Sequence, residues 1–287
     1  MKKVMFVCSG NTCRSPMAEG LFKKYLEDNA ITDIEVSSAG ISAFPGDEVS
    51  INSVLALKEK GIDISNHRAR PINPEMLLET DLFVCMSDSH AAVLSRFCTE
   101  SNIMVLGVND PYMQGIEVYE KCCRQIESAL PKVLETIEKL PVIRTMTSED
   151  IKKVAELEKE CFSKPWSEKS LSEELINSTA RFYTLSNNGE LMGYIGANNV
   201  CDEVYITNVA VGEKYRNNGY GVRLVKYLIL QSALENADFV TLEVRKSNGP
   251  AIRLYEKCGF EKVGERKNFY SNPTEDALLY TLYLKER

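Results

Sequence analysis

Cys8 opens the run Cys8-Ser9-Gly10-Asn11-Thr12-Cys13-Arg14-Ser15, between an apolar stretch, Val4 to Val7, and a helical pattern that starts at Pro16. A strand, a short polar loop and a helix in that order can turn the loop's backbone N–H groups inward on one tetrahedral anion, and the helix N-terminus adds positive potential. A thiol held there beside an arginine is drawn towards the thiolate, which makes Cys8 a candidate nucleophile. Arg14 carries a planar fork that can bind two phosphoryl oxygens and follow them as they flatten. Ser15 can donate to the sulfur and ease its departure, while Ser9, Gly10, Asn11, Thr12 and Cys13 complete the wall. The chemistry such a loop serves is phosphoryl transfer through a sulfur–phosphorus bond.

Displacing an alkoxide, phenoxide or amine from phosphorus needs a proton for the leaving group. Asp110, in Asp110-Pro111-Tyr112, is the candidate to supply it and later to take one from water. Read alone, Asp-Pro is a turn signal.

A second constellation lies in the other half. Arg216-Asn217-Asn218-Gly219-Tyr220-Gly221 precedes a helical pattern from Val222 to Glu235. Glycines there permit close backbone approach, so main-chain donors can hold a pyrophosphate, although a glycine-capped helix entry reads the same way. No Gly-Lys-Ser/Thr ending follows, so this is not a nucleoside-triphosphate loop. Asn208-Val209-Ala210-Val211 precedes the turn, and Glu243, Asn248 and Tyr255 follow it. Glu243 ends an apolar strand pattern and is a candidate base, and Tyr255 a candidate acid, with a surface strand charge and a core aromatic as the plain alternatives.

These groups need scaffolds. Residues 1–140 alternate apolar runs at 3–8, 34–38, 81–86 and 103–106 with helical patterns at 16–29, 47–60, 87–97 and 115–139. That alternation predicts an α/β fold, a parallel sheet with helices on both faces, whose strand ends place the loop and Asp110 on one edge. Leu140-Pro141 ends the last helical pattern and sets the expected boundary, 1–140 against 141–287, with almost no linker. Beyond it the pattern runs strand, helix (148–161), a second helix after Lys164-Pro165-Trp166-Ser167-Glu168, then strands at 181–186, 191–199 and 203–211.

At 287 residues the chain has room for two domains. Residues 1–140 hold 14 Lys/Arg against 20 Asp/Glu, and residues 141–287 hold 20 against 21. An acidic chain without a basic stripe argues against direct nucleic-acid binding. The short apolar start runs straight into the phosphate loop, so it reads as a strand and not a signal peptide, and no membrane span is expected. Nine cysteines, an odd number, point to a reducing compartment and a cytoplasmic home. With only His67 and His90, and no paired Cys-x-x-Cys units, no metal site is expected.

Together, Val7-Cys8 through Pro16, Met17-Ala18-Glu19, Ser38-Ala39-Gly40 and Asp110-Pro111-Tyr112 resemble the low-molecular-weight protein tyrosine phosphatases over residues 1 to about 140. The resemblance implies a flavodoxin-like fold, Cys8 as nucleophile, Arg14 on the phosphoryl group, Asp110 as general acid and base, Asn11 and Ser15 as braces, and Tyr112 at the entrance. It also allows His67 a part in tying down the loop, outside the catalytic set. Thr12 departs from the larger aliphatic residue of many members. Asn-Thr-Cys-Arg-Ser-Pro-Met-Ala-Glu is similar to the bacterial protein-arginine phosphatases, which tips the reading towards phosphoarginine and leaves phosphotyrosine open. Cys13 reads either as a reversible disulfide partner of Cys8 or as a small buried filler. An arsenate reductase of the same fold is the alternative; it needs cysteines placed to relay a disulfide, yet Cys85 and Cys98 flank a whole helical pattern and Cys122 and Cys123 sit within another.

Residues 142–287 resemble the GNAT acetyltransferases, and among them the RimI-type ribosomal-protein-alanine N-acetyltransferases. The likeness rests on the residues above with Leu242 to Asn248, Ala251 to Phe260, Pro165-Trp166-Ser167-Glu168-Lys169 and Asn268-Phe269-Tyr270. It implies a mixed α/β fold and acetyl-CoA as co-substrate. Backbone at Val209, Ala210 and Val211 would take the acetyl and pantetheine groups, the turn from Arg216 to Gly221 the pyrophosphate, and Asn248 the pantetheine arm. Gly249-Pro250 departs from the small helical residues expected there and is expected to shift that helix's start. The expected partners are a phosphoprotein and the N-terminus of a ribosomal protein. The rival reading is a scaffold with one active half.

Overall fold

The apolar run after Met1 becomes β1 (Lys2–Cys8), an inner strand of a four-stranded sheet ordered β2-β1-β3-β4, with β2 at Ile34–Gly40, β3 at Leu82–Cys85 and β4 at Ile103–Val105. All neighbours run parallel. The computed structural model describes residues 1–285. The chain divides into two compact units, Met1–Leu140 and the part from Pro141 onward.

In the first unit the strands alternate with α1 (Arg14–Asp28), α2 (Ile51–Lys58), α3 (Pro74–Glu79), α4 (Asp88–Leu94) and α5 (Ile116–Lys139). Val4 and Phe6 on one face of β1 join Met17 and Phe22 of α1 and Ile126 and Leu130 of α5 in one core. The alternate residues Met5, Val7, Phe83 and Cys85 are also buried, so both faces of the sheet are covered, as a parallel sheet requires. The α5 side chains Tyr119, Cys122, Cys123, Ile126, Leu130, Val133 and Ile137 form the buried stripe of an amphipathic helix.

Two differences from the sequence reading have local causes. The helix expected from residue 47 starts at Ile51. Residues before it make other bonds: Ser50 N donates to Thr12 O (2.9 Å) and so ties the phosphate loop, and Asp47 O accepts from Ala69 N (2.9 Å). Helix α3 was not expected, although Asn73 caps it by accepting from Met76 N (2.8 Å) and Pro74 stands in its first turn.

The second unit comprises β5 (Val142–Thr145), α6 (Ile151–Cys161), α7 (Glu168–Leu175), β6 (Ala180–Asn187), β7 (Glu190–Val200), β8 (Glu203–Val211), α8 (Tyr220–Leu234), β9 (Phe239–Arg245), α9 (Gly249–Lys257), β10 (Glu261–Ser271) and β11 (Thr274–Tyr283). Its sheet is ordered β10-β11-β9-β8-β7-β6-β5. Every neighbouring pair is antiparallel except β8 and β9. Those two pair only from Glu203 to Ile206 and from Phe239 to Leu242. Past that point β8 follows β7 to Val211 and β9 follows β11 to Arg245, so the centre of the sheet forks. A register shift in β8 sets Thr207 between the paired Ile206 and Asn208 at the fork's base. Helices α8 and α9 pack on one face over Ile195, Ile206 and Leu242; α6 and α7 cover the other over Phe182 and Tyr194.

Candidate active sites

The phosphate loop of the first unit is fixed by side chains and by backbone bonds from neighbouring loops, among them Ser42 N to Ser9 O (3.0 Å). Asn11 adopts a left-handed backbone (φ 54°), a conformation Asn tolerates better than most residues. Completely buried, it makes a bond from each side-chain group: Nδ2 donates to Ser15 Oγ and Ser38 Oγ (both 2.9 Å), and Oδ1 accepts from Arg70 N (3.0 Å). Its own N–H points at Cys8 Sγ (3.3 Å), and Ser15 Oγ lies 3.0 Å from the same sulfur. The Cys8 sulfur thus sits between a backbone N–H and a hydroxyl. Gly40, where β2 ends, explains the Ser38-Ala39-Gly40 signal. A Cβ there would run into Ser9 O and lie 3.0 Å from Asn11 N, so only glycine lets the strand end pass under the loop.

Arg14 is almost buried at the start of α1. Its Nη1 donates to Val108 O (3.2 Å), and its Nη2 pairs with Asp110 Oδ2 (2.6 Å), whose carboxylate is half exposed. Asp110 Oδ1 accepts from Tyr112 N (3.1 Å), and Tyr112 stands exposed beside it. Residues about a hundred positions apart in sequence are therefore in direct contact. Cys13 is buried, with Sγ 3.4 Å from Tyr119 Oη, which also accepts from Ser50 Oγ (3.1 Å). Thr12 is half-buried, and its hydroxyl has a long contact to Cys13 Sγ (3.7 Å). His67 reaches Asn11 O through Nε2 (3.0 Å).

In the second unit Glu243 lies where β9 leaves β8. Its carboxylate is nearly buried, takes a hydrogen bond from Tyr205 Oη and pairs with Arg266 Nε (3.2 Å). Tyr270 Oη donates to the Glu243 carbonyl (3.2 Å). Tyr255 is buried against Phe260 with ring centroids 5.8 Å apart. Burial first, and then the neighbouring Tyr270, push its hydroxyl well above the ordinary phenol range, so it stays protonated. Between Tyr215 and α8 the chain makes the glycine turn: Asn217 (φ 65°) and Gly219 (φ 77°) are left-handed, and Asn218 Nδ2 bonds Tyr215 O and Arg216 O (3.1 and 3.2 Å). Arg216 Nε donates to Val211 O (3.1 Å). Gly221 lies against α9, where a Cβ would meet Leu254 Cδ1 at 2.5 Å. Asn248 caps α9, its Oδ1 accepting from Ala251 N (3.2 Å), which leaves Nδ2 as the group it can offer a ligand. The helix starts directly at Gly249 with Pro250 in its first turn, so the expected shift of its start does not occur.

Residues 3–142 match the family model "Low molecular weight phosphotyrosine protein phosphatase", and residues 151–260 match "Acetyltransferase (GNAT) family". The protein-arginine-phosphatase of Bacillus subtilis is 33% identical over 150 residues, which cover 47% of this chain and 97% of that protein. The [ribosomal protein bS18]-alanine N-acetyltransferase of Escherichia coli is 31% identical over 144 residues, 49% of this chain and 95% of that protein. The chain belongs to both families. An arsenate reductase of Halalkalibacterium halodurans is 41% identical over 110 residues, 38% of this chain and 74% of that protein.

In the phosphatase unit the sequence reading passed over Arg70, Tyr119 and His90, the last with its Nε2 3.0 Å from Ser9 Oγ. The signal for His90 was available: it follows β3 by a few residues, on the strand-end edge that carries the loop. In the acetyltransferase unit Tyr205 and Arg266 were missed. Tyr205 is the outward residue of an alternating strand, and Arg266 lies on β10, for which no strand was expected. Glu158, fully buried on α6, was also missed; it accepts from Tyr194 Oη, Trp166 N (2.8 Å) and Asn208 Nδ2 (3.0 Å) and so ties the Pro165-Trp166 segment to β8 beside the fork.

Proposed function

We propose that the chain is a bifunctional enzyme: a protein phosphatase working through phosphocysteine, joined to an acetyl-CoA-dependent N-terminal acetyltransferase of ribosomal-protein alanine. The observation that carries the first half is the Cys8 sulfur held between Ser15 Oγ and Asn11 N, with Arg14 and Asp110 paired alongside. When a phosphoryl group enters, its oxygens take over the Arg14 fork and free Asp110. Cys8 gives up its proton and its sulfur forms a bond to phosphorus as the bond to the leaving oxygen or nitrogen breaks, and Asp110, which takes up a proton once it leaves Arg14, passes it to that atom. Water then attacks phosphorus, Asp110 takes the water's proton, and Ser15 donates to the departing sulfur. Thr12 offers a hydroxyl to a branched guanidinium, which favours phosphoarginine over phosphotyrosine. The relay that an arsenate reductase needs finds poor support, because burial pushes the Cys85 and Cys122 thiols up to about 12, far from the thiolate that exchange requires.

The second unit fits acetyl-CoA. The edge of β8 from Thr207 to Val211, left by β9 and taken at Val211 O by Arg216 Nε, offers its other backbone groups to a thioester and its pantetheine arm, and the left-handed turn before α8 brings a helix start to a pyrophosphate. Acetyl-CoA supplies an activated acetyl group. Glu243, steadied by Tyr205 and Arg266, takes the amine's proton directly or through water, and Tyr255, kept protonated by burial, gives one to the departing thiolate. Nine free cysteines accord with a cytoplasmic setting, and no helix among the described residues is long and apolar enough to cross a membrane.

The test uses the full chain. Asp110→Ala mixed with a phosphopeptide should trap a phosphoryl group on Cys8, readable by mass spectrometry, while the same sample transfers acetyl to an alanine-started peptide. Acetyl transfer without any trapped or released phosphate would leave a scaffold with one active half.

A further inference from the structure

The two histidines of the chain both hold the phosphate loop, and the second has no part in the chemistry assigned above. His90, in the first turn of α4, is 2% exposed. Its Nε2 lies 3.0 Å from Ser9 Oγ and its Nδ1 2.9 Å from Ser87 Oγ, which is itself 2.8 Å from Ser89 Oγ. Ser9 follows the nucleophile and is exposed. The charged groups that face the ring are Arg14 from α1 and Asp110 from the loop after β4; burial and then Arg14 hold the imidazole below its ordinary range, against a smaller opposite pull from Asp110. The ring is therefore neutral at physiological pH, with one donor nitrogen and one acceptor.

Which nitrogen carries the proton decides what Ser9 can do. With the proton on Nδ1, Ser9 must give its own hydrogen to Nε2 and turn lone pairs towards an arriving dianion. With the proton on Nε2, the ring donates to Ser9 Oγ, Ser87 donates to Nδ1, and the Ser9 hydrogen is left over for a phosphoryl oxygen. Only the second arrangement suits a pocket for anions.

We propose that His90 is a positioning residue that, in its Nε2–H form, donates to Ser9 and so directs the Ser9 hydroxyl at the phosphoryl group. The proposal rests on the phosphatase reading of the first unit. Its weight falls on binding: Ser9 grips the phosphoryl oxygens before and after bond breaking alike, so the effect belongs in KM and not in kcat.

The full chain labelled with ¹⁵N-histidine gives two imidazole spin systems, and His67→Gln identifies them. The expected spectrum has neutral His90 protonated on Nε2, with and without inorganic phosphate. A proton on Nδ1 overturns the proposal, and because this is read on the unmodified ring it does not depend on a variant folding. In kinetics, His90→Phe should raise KM and the inhibition constant of inorganic phosphate about tenfold with kcat little changed, and this penalty should vanish in a Ser9→Ala background. An equal loss in both backgrounds means a merely structural role and overturns it too. Failure of the phosphatase reading looks different: the wild-type chain then turns over no phosphorylated substrate, while the nitrogen spectrum still reports the tautomer.

Discussion

The phosphate loop and the acetyltransferase fork make their sites by opposite means. The loop is closed by cross-bracing: Asn11 bonds Ser15, Ser38 and Arg70, His67 and His90 hold it at Asn11 O and Ser9 Oγ, and Gly40 leaves no space beneath it. The fork is made by withdrawal, since β8 and β9 stop pairing at Ile206 and Leu242 and leave strand edge open. Thr207 Oγ1 and Asn208 Oδ1, at its base, are buried without a hydrogen-bond partner. A site for a compact dianion gains from fixed donors that need no reorganisation. One for a long coenzyme gains from backbone groups that are unpaired until it arrives. The two sites share no residue, so a substitution in either should change its own reaction and spare the other.

The largest expected effect is loss of the nucleophile: Cys8→Ser should lower phosphate release from a phosphopeptide by at least about 10³-fold, with acetyl transfer by the same chain unchanged. Next, Tyr255→Phe should lower acetyl-transfer kcat by about 10²-fold, the usual range for a lost general acid, and spare phosphate release. Unchanged turnover would return Tyr255 to the core as a packing aromatic. Thr12→Ile should shift the ratio of phosphoarginine to phosphotyrosine turnover towards phosphotyrosine by about tenfold, the scale of one altered pocket wall; an unchanged ratio removes Thr12 from substrate choice. Gly40→Ala should destabilise the first unit by about 1–3 kcal/mol in a denaturant titration, because the new methyl meets backbone that cannot turn aside.

The smallest effect is on pH. Burial lowers the folded-state values of His67 and His90 from the ordinary 6.5. Just under that value the unfolded chain binds more protons than the folded one, so stability of the phosphatase unit rises with pH through this window and is lost as pH falls. Unfolding midpoints between about pH 5 and 7.5 should show that slope, flattened in His67→Gln.

Much of this was legible before the fold was known. The loop could be read because each residue acts near its place in sequence, and because a strand, a polar run and a helix leave few ways to arrange Cys8, Arg14 and Ser15. Asp110 needed only the rule that parallel strands present their ends on one edge. Periodicity also placed β8, since alternation survives at an unpaired edge. Partners brought in by long-range pairing were out of reach. Arg266 meets Glu243 only because β11 lies between β10 and β9, and Tyr205 only because β8 and β9 run parallel for four residues. Residue type alone could not show that Asn248 would cap α9, or that a lone histidine after β3 would hold Ser9.

The most direct measurement takes one preparation of the full chain and follows phosphate release and peptide acetylation side by side in the wild type, Cys8→Ser and Tyr255→Phe. Two working sites on one chain should give a crossed pattern, each variant silencing one reaction and leaving the other at its wild-type rate. A wild type that carries out only one of the reactions, or a variant that abolishes both, would contradict it.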